Sequence, residues 1–346
     1  MNKSHAQHIE INKVWLDQHI EEAIDPGLEI VDSHHHLWDK SRTPRYMLED
    51  LLQDLNSGHN IRATVFVECR SMYRASGDPA LRSVGETEFA NGIAAMSASG
   101  DYGKTQVAAA IVASVDLRLG KNVVEVLEQH KRAGGARFRG IRHIAARDSS
   151  PEVRVAGPVP PSQLLADTAF RVGFSHLAKL DLSFDAWVYH PQLGELADLC
   201  EQFPDTQVVI NHAGGPIGIG PYKHQRAEAF RSWQTGLRRL AALPSVYIKL
   251  GGLGMKLGGF EFHKRPLPPS SVDLAESWAP YIETCLEIFG THRCMFESNF
   301  PVEKGSCSYG VLWNSFKRMT QACSPSEKRD LFSGTATRFY KLQRLP

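Results

Sequence analysis

Eight short apolar runs, separated by longer amphipathic stretches, constrain the fold of this chain more than any other feature of its sequence. The runs are rich in Val and Ile and are apolar at successive positions, which is typical of strands buried on both faces. The stretches between them, such as residues 193–203 and 227–243, have helical apolar spacing. The runs are residues 28–32, 63–69, 106–114, 138–144, 183–189, 207–211, 246–250 and 294–299. This alternation predicts an α/β fold with a parallel sheet covered by helices.

Two architectures have this alternation: a single (β/α)8 TIM barrel and an open doubly wound sheet. A doubly wound sheet usually carries a Gly-rich phosphate loop after its first strand. Here the first run is followed by HHHLW, and neither GxGxxG nor GxxxxGK[ST] occurs in the chain. We therefore predict a barrel over residues 28–346, preceded by an N-terminal extension over residues 1–27. Residues 11–24 have helical spacing, so we expect this extension to be helical.

The longest connections follow the fourth, sixth and seventh predicted strands. They are rich in Gly and Pro and span residues 149–163, 213–225 and 251–271. In a barrel the strand-to-helix loops form the active-site face, and long irregular loops often cover it. The loop pattern therefore predicts an enzyme with a partly covered pocket.

Composition excludes several kinds of partner. The formal net charge is +1 and there is no long basic or acidic block, so we expect neither a nucleic-acid nor a membrane partner. No apolar run is long enough to cross a bilayer, and residues 1–13 lack the apolar core of a signal peptide. The six cysteines are scattered without a CxxC motif, which is typical of reduced thiols. We predict a cytoplasmic protein, which could form a homo-oligomer.

Histidines are concentrated at the ends of the predicted strands. His34, His35 and His36 follow the first run, His190 follows the fifth, and His212 follows the sixth. Strand alternation places His34 and His36 on one face and His35 on the other. A barrel brings the carboxyl ends of its strands to one mouth. We therefore predict that His34, His36, His190 and His212 share a catalytic pocket, while His35 packs behind the strand.

Charged residues at the same strand ends are candidates for substrate binding. Arg142 lies in the fourth run, and a guanidinium at a barrel mouth can hold a carboxylate by two parallel hydrogen bonds. Arg70 and Arg74 follow the second run and Lys249 lies in the seventh. Each could instead take part in a structural ion pair. These cations predict a small-molecule substrate that carries a carboxylate.

These motifs resemble those of the amidohydrolase superfamily. The resemblance rests on Asp32, His34 and His36, on the later His190 and His212, and on the SNFP segment of the eighth strand. It is closer to the amidohydrolase-related branch, which includes sugar-acid lactonases and 2-pyrone-4,6-dicarboxylate hydrolase. DSHHHLWD and INHAGGP are its most specific segments, and it covers most of the chain.

The resemblance implies a (β/α)8 barrel and a divalent metal site. One zinc or manganese ion would be held by His34, His36 and His190, leaving a position for water. In parts of the lactonase branch the same histidines act without a required metal, so metal-free catalysis stays open. The fourth run has no Lys or Glu that could bridge a metal pair, so we do not expect a binuclear centre.

The chain departs from the superfamily pattern at the eighth strand. The family usually has SDxP there, and its Asp takes a proton from water, whereas this chain has Asn299. A neutral carboxamide can orient water but is not a general base. We expect Glu68, at the end of the second strand, to replace the base. Glu297 is the second choice, and Glu303 is a further candidate.

Three functions remain at this point. The first is hydrolysis of a small lactone that carries a carboxylate, with the histidines polarising the carbonyl group. The second is metal-dependent, non-oxidative decarboxylation of an aromatic acid, which usually retains the eighth-strand Asp. The third is a binding protein that has lost hydrolysis. Asn299 counts against the second function, and the four histidines count against the third.

Overall fold

The computed structural model describes residues 8–40, 43–153 and 157–343. Its β-strands are β1 (Glu29–His35), β2 (Trp38–Lys40), β3 (Thr43–Tyr46), β4 (Asn60–Val67), β5 (Gln106–Ser114), β6 (Phe138–Arg142), β7 (Ser183–Ala186), β8 (Val208–Ile210), β9 (Val246–Leu250) and β10 (Cys294–Phe296). Its α-helices are α1 (Lys13–Leu16), α2 (Leu48–Leu55), α3 (Val84–Ala98), α4 (Val123–Gly134), α5 (Thr168–Phe174), α6 (His176–Lys179), α7 (Leu193–Gln202), α8 (Arg226–Ala241), α9 (Ser271–Phe289), α10 (Tyr309–Met319), α11 (Pro325–Arg329) and α12 (Thr335–Phe339).

The central sheet has eight parallel strands in sequence order, β1 followed by β4 to β10, and β2 and β3 form a separate antiparallel pair. The last and first strands meet across the remaining gap. The Asn299 amide donates to the His34 carbonyl at 2.9 Å, and the His36 amide donates to the Phe300 carbonyl at 2.8 Å. The sheet is therefore a nearly closed (β/α)8 TIM barrel. The predicted fold class is confirmed, and the open doubly wound alternative is wrong.

Apolar side chains fill the barrel and the layer between the barrel and its helices. An inner cluster of Val31, Val65, Val112, Val209 and Met295 comes from five strands. The C-terminal residues Phe339, Tyr340 and Leu342 pack against this inner cluster. A larger cluster joins the outer faces of the strands to the surrounding helices. Strands buried on both faces explain why the sequence shows continuous apolar runs rather than alternation.

Within residues 8–27, the described part of the N-terminal extension, the only α-helix is Lys13–Leu16, so the expected helix over residues 11–24 is wrong. Beyond this helix the backbone bonds to other elements. The Ile24 amide donates to Asn314 at 2.8 Å, and Lys317 donates to the Ile24 carbonyl at 2.7 Å. These contacts use backbone amide and carbonyl groups that a helix would hydrogen-bond internally. Tertiary contacts therefore replace the helix that the apolar spacing predicted.

Parts of three sequence predictions lie outside the described residues: residues 1–7 of the extension, residues 154–156 of the loop 149–163, and residues 344–346 at the end of the barrel range. The boundary between extension and barrel stays a prediction. Within the described ranges, no helix combines the length and apolar character needed to cross a membrane.

Candidate active site

The polar residues predicted at strand ends lie together at the carboxyl mouth of the barrel. In β1 the pairing with β4 shifts register between Asp32 and His35, which marks an irregularity in the strand. His34 and His36 lie on the pocket side, with their ring centroids 4.8 Å apart. His35 is buried on the other side, 2.9 Å from the Thr64 hydroxyl and against the Phe66 ring.

Glu297 joins two of the histidines. One carboxylate oxygen accepts from both the backbone amide and Nδ1 of His212, at 2.8 and 2.7 Å. The other oxygen lies 2.8 Å from His34 Nδ1. A carboxylate is only an acceptor, so Nδ1 of His212 carries a proton and its Nε2 presents a lone pair. Burial lowers the pKa of His212, so the neutral ring is favoured.

His36 is fixed in the same tautomer by a different partner. Its Nδ1 lies 2.8 Å from the Val67 carbonyl oxygen and must donate to it, which leaves a lone pair on Nε2. His36 Nε2 lies 3.2 Å from His34 Nε2. If His34 donates from Nδ1 to Glu297, two lone pairs face each other at that distance. Burial lowers the pKa of both rings well below the usual value, which opposes an added proton.

The spacing of these two nitrogens fits a bound metal ion. Two nitrogens bound to one tetrahedral zinc at about 2.0–2.1 Å lie about 3.3 Å apart. His34, His212 and Glu297 also form a group of potential ligands whose donor atoms lie within 4.8 Å of one another. Second-shell carboxylates commonly face Nδ1 of metal-binding histidines, and Glu297 lies 2.8 Å from His34 Nδ1. The donor set therefore fits one divalent ion.

His190 has the opposite tautomer. Its Nδ1 accepts from the Ile217 amide at 3.2 Å, so in the neutral ring Nε2 carries the proton. Burial lowers its pKa to about 4, so the ring is neutral at neutral pH. A protonated nitrogen donates hydrogen bonds but does not bind metal. We therefore do not retain His190 in the ligand set and assign it the role of a hydrogen-bond donor in the proposal below.

Arg142 and Glu68 form a buried ion pair beside this cluster. Arg142 Nε donates to Glu68 Oε1 at 2.7 Å, and its Nη2 donates to the Glu68 carbonyl at 2.5 Å. Its Nη1 lies 3.4 Å from His34 Nε2. Two of the three guanidinium nitrogens are therefore committed to Glu68. This pairing favours a positioning role for both residues over the predicted roles of carboxylate clamp and general base.

Lys249 lies beneath the histidines with no exposed surface. Its ammonium group lies 2.7 Å from Asp185 and donates to the Ser33 carbonyl at 2.8 Å. It also lies 3.4 Å from His34 Nδ1. A side chain enclosed in this way acts on the site through its charge and not by contact with substrate.

Arg70 and Arg74, both predicted to bind substrate, lie in different parts of the structure. Arg70 follows β4 by three residues, is exposed, and has a left-handed backbone with φ of 60°. Arg74 pairs with the exposed Glu88 of α3. The structure keeps Arg70 at the mouth, whereas Arg74 is engaged on the outer surface. We retain Arg70 and not Arg74 as a candidate for substrate binding.

Asn299 has a left-handed backbone, with φ of 53°, and is almost fully buried. Its Nδ2 donates to Glu303 Oε1 at 3.4 Å. Its Oδ1 is buried and has no hydrogen-bond partner among the described residues. Burial raises the pKa of Glu303 to about 8. The usual family carboxylate is thus replaced by an amide backed by a buried acid.

Sequence reasoning missed Asp185 and the aromatic side chains above the histidines. Asp185 pairs with Lys249, and the signal available was a carboxylate in an apolar strand. Trp187 contacts the His212 ring edge-to-face at a centroid distance of 4.5 Å. Tyr222 contacts His190 at 5.0 Å and donates to Asp148 at 2.7 Å. These two aromatic rings pack directly against two of the site histidines. The partly covered pocket stays a prediction.

Comparison with known families matches residues 31–342 to the family model described as amidohydrolase. This match covers most of the chain. The chain belongs to the amidohydrolase family. It is therefore an enzyme of a hydrolase family, as the strand-end motifs predicted.

Two curated relatives and one solved structure resemble this amidohydrolase over nearly its whole length. It is 29% identical to the uncharacterized protein y4mH of Sinorhizobium fredii, over 91% of this chain and 99% of the relative. It is 28% identical to an L-fucono-1,5-lactonase of Burkholderia multivorans, over 90% and 96% of the two chains. A zinc-bound amidohydrolase from Burkholderia multivorans matches with a TM-score of 0.69 and 26% identity, over 91% and 99% of the two chains.

Proposed function

We propose that this amidohydrolase hydrolyses a small lactone that carries a carboxylate. The observation that carries the proposal is the hydrogen bond from His212 Nδ1 to Glu297, because it fixes a neutral imidazole with a free Nε2. This ring packs against His34, whose own Nε2 lies 3.4 Å from the buried Arg142 cation. The lactonase named among the relatives supports the class of substrate. The reaction adds water across the ring ester and releases a hydroxy acid.

His212 is the proposed base. Its Nε2 takes a proton from the attacking water as the water oxygen bonds to the lactone carbonyl carbon. Glu297 holds the ring orientation and stabilises the imidazolium that forms, as a carboxylate does behind a catalytic histidine. The imidazolium then returns the proton to the ring oxygen as the carbon–oxygen bond breaks. This assignment replaces Glu68 as the base, because Glu68 is held by Arg142.

Negative charge develops on the carbonyl oxygen during attack. The His190 Nε2–H can donate a hydrogen bond to this oxygen. The positive charge of Arg142 stabilises the developing negative charge electrostatically. A metal ion, if bound, would be held by Nε2 of His34 and Nε2 of His36, and would polarise the carbonyl group. Arg70 is the proposed partner of the substrate carboxylate, since its side chain is exposed at the mouth.

The test is a substrate panel with and without chelation. Carboxylated lactones, uncharged lactones and aromatic acids are incubated with enzyme of measured metal content, and acid release and carbon dioxide are followed separately. We expect one equivalent of acid per carboxylated lactone and no carbon dioxide. Activity lost on chelation and regained with zinc or manganese would establish a required metal. Turnover of aromatic acids alone, or of nothing in the panel, would contradict the proposal.

A further inference from the structure

Glu303 is a buried acid whose contacts lead back to Asn299. It follows Asn299 by four residues, is 1% exposed, and has no basic side chain paired with it in the described ranges. Its Oε1 accepts from Asn299 Nδ2 at 3.4 Å, and its Oε2 accepts from the Gly254 amide at 2.9 Å. The acid therefore binds the Asn299 side chain on one side and the loop after β9 on the other.

The opposite end of the Asn299 amide lacks a partner. Its Oδ1 is buried without a hydrogen bond among the described residues, although the Asn299 backbone amide donates to the His34 carbonyl at 2.9 Å. A buried acceptor left unpaired destabilises the folded protein. A buried oxygen without a partner, on a residue whose backbone is bound to His34, is available to a donor that arrives with the reaction.

We propose that Glu303 is a positioning residue that holds the Asn299 amide so that Oδ1 accepts a hydrogen bond from the attacking water. This inference rests on the proposed hydrolysis. The water donates one hydrogen to Asn299 Oδ1 and the other to His212 Nε2, which directs an oxygen lone pair at the carbonyl carbon. The proton transfers to His212 only, so Asn299 stays neutral throughout. The amide and the buried acid together take over the orienting task of the family's single Asp.

Exchanging the two side chains tests this pairing. Above its raised pKa of about 8, Glu303 is ionised and accepts from both Asn299 and Gly254. At pH 9 the amide of Glu303→Gln cannot accept from both, so Asn299 loses its fixed orientation. We expect kcat for a carboxylated lactone to fall about 10- to 100-fold with KM changed less than threefold, a loss typical of one positioned hydrogen bond. In Asn299→Asp/Glu303→Gln, the acid and the amide exchange places. We expect its kcat to be at least tenfold above that of Glu303→Gln and also above that of Asn299→Asp, in which two acids face each other.

Ser306→Ala is the matched control, since Ser306 Oγ donates to the Gly254 carbonyl at 2.7 Å and supports the same loop without touching Asn299. We expect its kcat to stay within threefold of the wild type. If Ser306→Ala and Glu303→Gln lose kcat equally, or if the exchanged pair gains nothing over Glu303→Gln, the role of Glu303 is to hold the loop and the inference is wrong.

A measurement without turnover separates this inference from the proposed function. Hydrogen exchange of the Asn299 side-chain amide is followed by NMR in the wild type and in Glu303→Gln. Exchange at least tenfold faster in the variant supports the pairing even if no lactone is hydrolysed. Equal exchange in the two proteins overturns the pairing whatever the substrate panel shows.

A different observation concerns a cleft of about 720 Å³ at the amino ends of β4, β5 and β6. Four cations line it: Arg62, Lys104, Arg137 and Arg139. No carboxylate of the described residues lines it. Arg139 donates from Nη2 to the Lys341 carbonyl at 3.1 Å, but its Nε is buried without a partner in the described ranges. Arg137 donates to Asn91 at 2.8 Å, and Arg62 lies 3.5 Å from the exposed Glu29. Helices α3 and α4 end here. Each helix carboxyl terminus carries a partial negative charge of about half a unit, which offsets part of the positive charge of the four cations.

We infer that this cleft binds a small polyanion with phosphate or carboxylate groups, separately from the histidine cluster. Its volume is in the range of small-molecule sites, and its guanidinium groups favour oxyanions. Glycines 100, 103, 134 and 135 also line the cleft and leave room beside the cations. A ligand there would contact three strands on the face opposite the active site.

Calorimetric titration with pyrophosphate and with citrate, at low and physiological salt, tests the cleft and separates the two ligand chemistries. We expect at least one of them to bind with a Kd below about 1 mM and to weaken at least tenfold in Arg62→Gln/Arg139→Gln. Arg239→Gln, which removes a cation from an exposed ion pair elsewhere, should bind as the wild type does. No binding heat, or equal affinity in the double variant, would overturn the inference.

Discussion

Three of the four site histidines, His36, His190 and His212, have a hydrogen-bond partner at Nδ1, and that partner decides what the ring presents to the pocket. Glu297 and Val67 accept from His212 and His36, so these rings present lone pairs. The Ile217 amide donates to His190, so this ring presents a donor. In the proposed mechanism, histidines therefore supply both the base and the hydrogen bond to the carbonyl oxygen, without a carboxylate at position 299.

Removal of the Arg70 guanidinium should separate substrate binding from chemistry. We expect Arg70→Ala to raise KM for a carboxylated lactone about 10- to 100-fold, because a hydrogen bond to a charged group contributes about 1.5–3 kcal/mol. The kcat value should change little, and KM for an uncharged lactone should not change. Steady-state kinetics on the two lactones measure the effect. Arg74→Ala is the control, and an equal rise of KM in that variant would contradict the assignment.

Three glycines of the loop after β9 lie directly against site residues. Gly251 lies against Glu297, Gly252 against His212, and Gly254 against Glu303. Gly252 has φ of +74°, and a Cβ there would lie 2.3 Å from His212 Cβ. Both the backbone conformation and the close approach require glycine at this position.

Gly252→Ala should therefore displace His212 and strain the loop. We expect a loss of about 1–3 kcal/mol in the free energy of unfolding. We also expect kcat/KM to fall at least 100-fold. Gly194→Ala is the matched control, because a Cβ there meets nothing within 4 Å and its backbone is helical. If the two variants were equally active, His212 would not depend on this contact.

Strands and their polar ends were predictable because both features are local. A strand buried on two faces leaves a continuous apolar run, and the residue that follows it lies at the barrel mouth. Pairings across strands were not predictable. Glu68 ranked first as base from its position, but the partner that holds it, Arg142, comes from β6, two strands along the barrel. The tautomers of the histidines also depend on partners distant in sequence. The same holds for residues 11–24, where distant contacts replace the expected helix.

One buried network links the centre of the barrel to the end of the chain. Asp185 of β7 pairs with Lys249 of β9 at 2.7 Å and accepts from Asn211 at 3.0 Å. The Tyr340 hydroxyl, which follows α12, also donates to Asp185 at 2.9 Å. The C-terminal segment is therefore tied to the same charges that lie beneath His34.

Breaking this network on one side should destabilise the whole molecule. Lys249→Met leaves Asp185 buried without its cation, and we expect a loss of about 3–5 kcal/mol in the free energy of unfolding. The matched variant Lys249→Met/Asp185→Asn removes both charges and should recover a large part of that loss. Urea unfolding of the three proteins measures both values. A single variant no less stable than the double variant would rule out the ion pair as the cause.

The variant Glu297→Gln tests the proposed role of Glu297 most directly. The measurement is kcat/KM, followed by acid release, for a carboxylated lactone that the wild type hydrolyses. The carboxamide introduced by this substitution can accept from one imidazole only and presents N–H to the other, so the His212 tautomer is no longer fixed. We predict a fall of about a thousandfold or more, with the fold intact by circular dichroism. A folded Glu297→Gln enzyme within tenfold of the wild type would contradict the proposed mechanism.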